Sequence, residues 1–254
     1  MATTKEEKRQ RMRALHGQEN VLLLPNPWDL GSLRYFELQG AKALASTSAG
    51  FAWTIAKQDN EIRLEESLAH LYQLASHTEL PINADFESGF AATERQLNGA
   101  IERLEQTGVA AFSIEDRLDD ALYEASIAVR RVEQAKQAAL RYGGDDFMLV
   151  ARCEGFLMGN ASLEQVIERL QNYVMAGADV VYAPGLREQE HILRVVEAVA
   201  PIPLNVLLWS NGLSVSELQE LGVKRVSTGS SLAAAARQAY EHASRVLFEQ
   251  GRLP

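Results

Sequence analysis

Eight short apolar runs, each followed by a longer amphipathic stretch, constrain this chain more than any other feature. The runs cover residues 21–24, 41–47, 81–85, 109–115, 147–152, 178–183, 204–208 and 223–228. Each is short and mostly apolar, as expected of strands buried on both faces of a parallel sheet. The stretches between them carry helical spacing. Leu64, Leu68, Leu71, Tyr72 and Ala75 fall three and four apart over 64–77, and Leu97, Ala100, Ile101 and Leu104 do so over 93–106. Ser162 is placed to cap a helix bearing Val166, Ile167, Leu170 and Val174. Gly40, Gly108, Gly177 and Gly222 each precede a strand, where glycine accepts the left-handed conformation that ends a helix. With a last helix over 231–250, eight βα units in 254 residues match a (β/α)8 TIM barrel. The rival is a doubly wound open sheet. It would place a glycine-rich phosphate loop after the first strand, and Leu24-Pro25-Asn26-Pro27 is not one. The expectation is one α/β barrel domain over 1–254, with a short N-terminal helix over about residues 3–17.

Composition narrows the function. Twenty-five Lys and Arg against 34 Asp and Glu leave a net charge of −9, which argues against nucleic acid as the main partner. One cysteine, Cys153, excludes a disulfide framework and cysteine-built metal clusters. No apolar run reaches the ~18 residues of a membrane span. The first residues carry Lys5, Lys8, Arg9, Arg11 and Arg13 and lack the apolar core of a secretory signal. Their spacing suits a surface helix. A cytoplasmic enzyme is expected.

Barrel chemistry sits at the C-terminal ends of the strands. Asn26 and Asp29 follow the first strand, Thr47-Ser48-Ala49-Gly50 the second, and Asp85-Phe86-Glu87 closes the third. Glu115-Asp116-Arg117 closes the fourth, Arg152-Cys153-Glu154 the fifth and Tyr182 the sixth, while Asn205 lies on the seventh. Alternation points Asp85 and Glu87 one way and Phe86 the other, and turns Cys153 away from Arg152 and Glu154. Several carboxylates with no clustered His or Cys suit a hard, oxygen-preferring ion, Mg²⁺ or Mn²⁺ rather than zinc. Arg152 adds a planar fork for a substrate carboxylate or phosphonate. The bland alternatives stand beside these readings. Asp85 or Glu115 alone would serve as a helix cap, and Cys153 as a small buried residue. His70 and His77 lack a third ligand, so surface or packing roles suit them, and His16, His191 and His242 show no partner spacing. Trp53 lines the pocket or packs. Gly229-Ser230-Ser231 is an anion site or a plain N-cap.

The strings 80–89 (Leu-Pro-Ile-Asn-Ala-Asp-Phe-Glu-Ser-Gly), 108–116 and 149–154 resemble those of the isocitrate lyase / phosphoenolpyruvate mutase superfamily, in order and spacing, and the likeness runs from about Leu23 to Ala239. The resemblance implies that Asp85 ligates Mg²⁺ directly, with Asp59, Glu87 and Glu115 holding it largely through water. It implies that Thr47, Ser48 and Ala49 bind the substrate carboxylate, that Arg152 binds its anionic end, and that Asn205 reaches the same mouth. It also implies a homotetramer or homodimer, with the last helix exchanged between paired subunits. The departures are as informative. Lyases of this kind carry a Lys-x-Cys-Gly-His-like loop after strand 4 whose Cys is the general acid. Residues 115–123 read Glu-Asp-Arg-Leu-Asp-Asp-Ala-Leu-Tyr, with neither Cys nor His. That argues against isocitrate or methylisocitrate cleavage. The Lys/Asn gating loop of the mutases is absent too, and Ser48-Ala49 stands where Gly-Gly is usual. The pattern resembles a phosphonomutase-like branch.

Three functions are consistent with these residues. The first is a Mg²⁺-dependent carbon–carbon lyase acting on a small 2-oxo acid or substituted malate, oxaloacetate-decarboxylase-like. In it Arg152 and Glu115 serve catalysis, Trp53 lines the pocket, and water or Tyr182 protonates the enolate. The second is a phosphonopyruvate mutase or hydrolase acting at a phosphorus–carbon bond. The third is a 2-oxo-acid binding protein with little turnover.

Overall fold

The computed structural model describes residues 3–254. Eight parallel strands form the sheet: β1 (Leu22–Leu24), β2 (Leu44–Ala45), β3 (Ile82–Asp85), β4 (Ala111–Glu115), β5 (Met148–Arg152), β6 (Val180–Tyr182), β7 (Leu204–Leu207) and β8 (Arg225–Ser227). Every strand lies inside an expected apolar run, trimmed at its ends. Ladders join β2 through β8 in sequence and then β8 to β1, so the sheet curls into a nearly closed α/β TIM barrel.

The seam between β1 and β2 has no ladder and is closed by other means. Ala45 N donates to Pro25 O at 3.2 Å. Asn26, at the end of β1, donates from Nδ2 to Ser46 O at 2.8 Å, and its Oδ1 accepts from Thr228 N (2.9 Å) and Gly229 N (3.0 Å). The carboxamide therefore clasps the ends of β8 and β2 across β1. Gly229 N is committed to this clasp rather than to an anion site.

Among the described residues ten helices accompany the strands: α1 (Lys5–His16), α2 (Leu30–Leu38), α3 (Ser48–Thr54), α4 (Leu64–Ser76), α5 (Glu94–Gln106), α6 (Ala125–Gly143), α7 (Leu163–Met175), α8 (Gln189–Val199), α9 (Val215–Glu220) and α10 (Ser231–Gln250). Thr93 and Ser162 cap α5 and α7 through capping boxes, and Asp29 caps α2. Gly40, Gly108, Gly177 and Gly222 all take φ of 83–95°. Outward residues of the strands, such as Ala84, Phe112, Leu149, Val181 and Val226, are buried against the helices, together with Phe86 and Cys153. Leu22, Leu24, Ala45, Ala111, Met148, Val150 and Val180 fill the barrel interior. No helix among the described residues is long and apolar enough to cross a membrane.

The N-terminal helix forms where expected, with Glu6, Gln10 and Arg11 exposed, but its other face is buried: α1 plugs the bottom of the barrel. Met12 is fully buried in the interior cluster. Lys8 donates to Ala75 O (2.8 Å) and Thr78 O (2.7 Å). Arg9 pairs with Glu105 at 2.9 Å and lies 4.6 Å from the Phe147 ring, and Arg13 pairs with Asp146 and Asp179. The basic residues look solvated in sequence because their partners lie about a hundred positions away. Two elements were not foreseen: α3, and a hairpin of two-residue strands, Arg117–Leu118 and Ala121–Leu122, in the loop after β4. Both are too short for periodicity to show.

A buried and a half-buried histidine give the fold a pH dependence. His16 stands by Arg225, and His70 stacks on Phe51 with centroids 3.9 Å apart. Burial holds both down to about 4. Because the unfolded chain takes up these protons near the ordinary histidine value and the folded chain does not, the histidine contribution to stability is full above about pH 6.5 and falls as pH drops towards 4. Urea melts of the wild type and of His70→Leu between pH 7 and 4.5 should show this contribution as a difference in slope, the wild type losing stability relative to the variant as pH falls. An identical slope in the two would refute the assignment.

Candidate active site

The C-terminal ends of β3, β4 and β5 bring one guanidinium into the midst of several carboxylates. Arg152, last in β5, is in lateral register with Glu115 of β4. Its Nη2 lies 3.2 Å from Glu115 Oε2, its Nη1 3.3 Å from Asp85 Oδ1, and its Nε bonds Glu154. Its carbon Cζ stands 5.7 Å from the Tyr182 ring centroid. Asp85 Oδ2 accepts from Ser48 N (2.9 Å) and Ser48 Oγ (2.8 Å), while Asp85 N donates to Ser46 Oγ (2.8 Å). Asp59 reaches the same mouth from the loop before α4 and borders a cavity of about 280 Å³ with Ser48, Glu115, Arg152 and Glu154.

Electrostatics show how crowded this mouth is. Burial, then Asp85 and Glu115, push Glu87 up to about 9. Burial likewise pushes Glu115 up to about 8, against the opposing pull of Arg152. Burial and Asp85 raise Asp59. Burial alone would lower Arg152, but Glu154, Glu115 and Asp85 hold it well above the ordinary arginine value. Glu87 is strained as well: its φ is +45°, it is buried, and its Oε1 has no hydrogen-bond partner. A left-handed glutamate with an orphaned buried oxygen costs of order 1–3 kcal/mol in backbone strain alone.

The remaining expected residues fall as follows. Thr47 caps α3, its Oγ1 accepting from Gly50 N at 3.3 Å, with Ala49 in the first turn. Tyr182 borders a small interior cavity of about 50 Å³ with Asp85, Arg152 and Asn205. Asn205 is buried in the barrel interior, donating to Ser227 Oγ and accepting from Arg225 Nε, each at 3.0 Å. Trp53 lies beneath Arg237 of α10, 5.4 Å from its Cζ, and does not border the 280 Å³ cavity. Cys153 lies in the helix–sheet layer, and burial pushes its thiol up.

Two residues that the sequence puts at the end of β4 without a role are given one by the structure. Asp116 points outward from the mouth and accepts from Tyr173 Oη (2.6 Å), Arg169 Nη1 (3.2 Å) and Glu154 N (2.8 Å). Arg117 faces the mouth beside Asp59. The two-residue alternation that pairs Asp85 with Glu87 also pairs Glu115 with Arg117 and would have found it.

The site therefore lies at the C-terminal mouth of a parallel barrel, where a cluster of buried acids surrounds an arginine; barrel enzymes place their chemistry at this end. The chain belongs to the phosphoenolpyruvate phosphomutase family, whose model matches residues 12–248, within the isocitrate lyase / phosphoenolpyruvate mutase superfamily. It is similar to a solved Burkholderia cenocepacia J2315 structure described no more closely than lyase/mutase. That match has 38% identity and a TM-score of 0.93, covering 98% of this chain and 91% of the other. An oxaloacetate decarboxylase of Pseudomonas putida GB-1 is 31% identical over 175 residues, 66% of this chain and 59% of that enzyme. A 2-methylisocitrate lyase of Halalkalibacterium halodurans is 25% identical over 256 residues, covering 98% and 84%.

Removing the shared guanidinium leaves buried acids facing one another. Arg152→Met should lower the urea-derived stability of the ion-free protein by about 3–5 kcal/mol. A change below about 1 kcal/mol would show that the acids do not depend on it.

Proposed function

We propose that the chain is a divalent-cation-dependent carbon–carbon lyase acting on a small 2-oxo acid or substituted malate, of the oxaloacetate-decarboxylase kind. The observation that carries this reading is the crowd of acids, Asp59, Asp85, Glu87, Glu115 and Glu154, around one arginine at the mouth. Their mutual repulsion and the orphaned Glu87 Oε1 fit a cation, and an all-oxygen donor set fits Mg²⁺ or Mn²⁺. Among the described residues no three acids converge tightly enough to enclose an ion by themselves. Asp85, Asp59, Glu87 and Glu115 are the residues that would hold it, largely through water. Bound there, a divalent cation supplies Lewis acidity towards the keto and carboxylate oxygens of a 2-oxo acid.

The chain's own groups do the rest. Arg152 stays charged and presents its fork to the substrate's anionic end. A substrate carboxylate approaching Thr47, Ser48 and Ala49 competes with Asp85 for the Ser48 N–H and hydroxyl, the donors nearest that end. Tyr182 keeps its phenolic proton, since burial pushes it up, and it borders the small interior cavity with Asp85 and Arg152, so it is available to protonate the enolate carbon. The hairpin supplies no Cys or His as an acid. Departing carbon dioxide needs no proton, which favours decarboxylation over cleavages that must protonate their leaving group. The relatives named as decarboxylase and lyase support the same class.

A lactate-dehydrogenase-coupled assay with oxaloacetate, alkylmalates and phosphonopyruvate tests this. Pyruvate formation should require Mg²⁺, stop with EDTA, and fall at least 100-fold in Asp85→Ala. Phosphate or a phosphonate isomer from phosphonopyruvate would assign phosphorus–carbon chemistry instead. No turnover, with 2-oxo acids still raising Tm, would make it a binding protein.

The reading extends to assembly, as a homodimer or homotetramer that exchanges α10. Along α10 only Ala233 is buried, while Phe248 is 88% exposed. Beside β1 an apolar groove of about 520 Å³, bordered by Leu15, Leu23, Phe36, Leu208 and Leu232, lacks a covering helix. Leu23, the outward residue of β1, is 42% exposed, whereas Val226 on the neighbouring β8 is fully buried. The α10 of a second copy would cover that groove. Light scattering should find a dimer or larger at micromolar concentration, and Leu247→Asp with Phe248→Asp should shift it towards monomer. A monomeric wild type would overturn the exchange.

A further inference from the structure

The mouth holds a second guanidinium besides Arg152. Arg117 begins the hairpin after β4 and borders the 280 Å³ cavity together with Asp59 and Glu154, with Leu157 and Met158 completing the wall. Its Nε donates to Asp119 O at 2.7 Å, within a turn where Asp119 takes φ +50°. Nη2 stands 3.8 Å from Asp120, whose side chain is fully exposed. The fork is therefore fixed at its base, and no carboxylate engages it within hydrogen-bond reach. The hairpin root is tied down as well. Tyr123 N donates to Asp116 O (2.8 Å), Arg169 Nη2 donates to Tyr123 O (3.0 Å), and Tyr173 and Arg169 hold the Asp116 carboxylate.

We propose that Arg117 binds the distal carboxylate of the substrate, so that the site selects dicarboxylic 2-oxo acids over 2-oxo acids with a single carboxylate. This rests on the 2-oxo-acid reading above and adds a second anchor at the far side of the mouth. Arg152 is already shared among Asp85, Glu115 and Glu154, so the less committed cation is the one positioned for a second anion. A planar, singly charged carboxylate matches one guanidinium in bidentate fashion. A doubly charged phosphonate would face Asp59, Glu154 and Asp120 with only that one arginine to balance it.

Calorimetric titration in Mg²⁺ with three probes tests the assignment: oxalate for the head group alone, difluorooxaloacetate for head and distal carboxylate, and phosphonopyruvate for head and phosphonate. Arg117→Ala should weaken difluorooxaloacetate about 10- to 100-fold and oxalate less than about 2-fold, with Tm unchanged. Arg117→Lys should recover part of the loss. Equal losses for both ligands, or none for difluorooxaloacetate, would overturn the role of Arg117 while leaving the lyase reading intact. A larger loss for phosphonopyruvate than for difluorooxaloacetate would overturn the choice of carboxylate. Failure of the wild type to bind oxalate would remove the 2-oxo-acid reading, and this assignment with it.

Discussion

The barrel depends on a closure that no backbone ladder provides. Seven strand-to-strand ladders leave one gap, between β1 and β2, and the Asn26 carboxamide spans it by bonding the ends of β8 and β2 together. Only because the sheet returns on itself do the ends of β3, β4 and β5 face a common interior rather than a flat edge. Each buried polar atom of Asn26 has a partner, which is what makes a side chain able to stand in for a ladder at low dielectric. The α1 plug closes the opposite end with Met12 and a set of basic residues bonded to carbonyls and acids. The two closures leave one open end, and the acids lie there.

At that end the structure tolerates what a core would not. Glu87 and Glu115 are buried acids pushed to about 9 and 8, and Glu87 is also held in a left-handed conformation. A buried carboxylate without full pairing destabilises a fold, and strained or mismatched groups concentrate where function requires them. Arg152 relieves part of the repulsion and is itself held charged by the acids around it. The acids and the arginine are mutually dependent, and neither set has a reason to be there alone.

Most of the barrel is legible in the sequence because its signals are local. Apolar runs mark the eight strands, Thr93 and Ser162 announce helix starts, and Gly108 and Gly177 announce helix ends. Alternation correctly turned Phe86 and Cys153 away from the mouth. What escaped depends on distant partners. The basic face of α1 reads as solvated until Ala75, Thr78 and Glu105 come beside it. Asp116 reads as another site acid until Tyr173 and Arg169 claim it from α7. Asn205 borders a cavity with Asp85 and Arg152, but the partners that hold its amide, Ser227 and Arg225, are 20 or more positions away. The hairpin after β4 is too short to carry any period.

The outward-facing Asp116 also separates two jobs that loops after barrel strands usually combine. Its carboxylate fastens the root of the hairpin to α7, on the helix side of the sheet, while Glu115 one residue earlier belongs to the mouth. Residues 117–122 are thus a detachable cover whose hinge is bolted to the outer wall. Lengthening, shortening or replacing that cover leaves the acid–arginine constellation where it is, so new specificities can evolve, or be grafted, on this barrel without rebuilding the chemistry beneath.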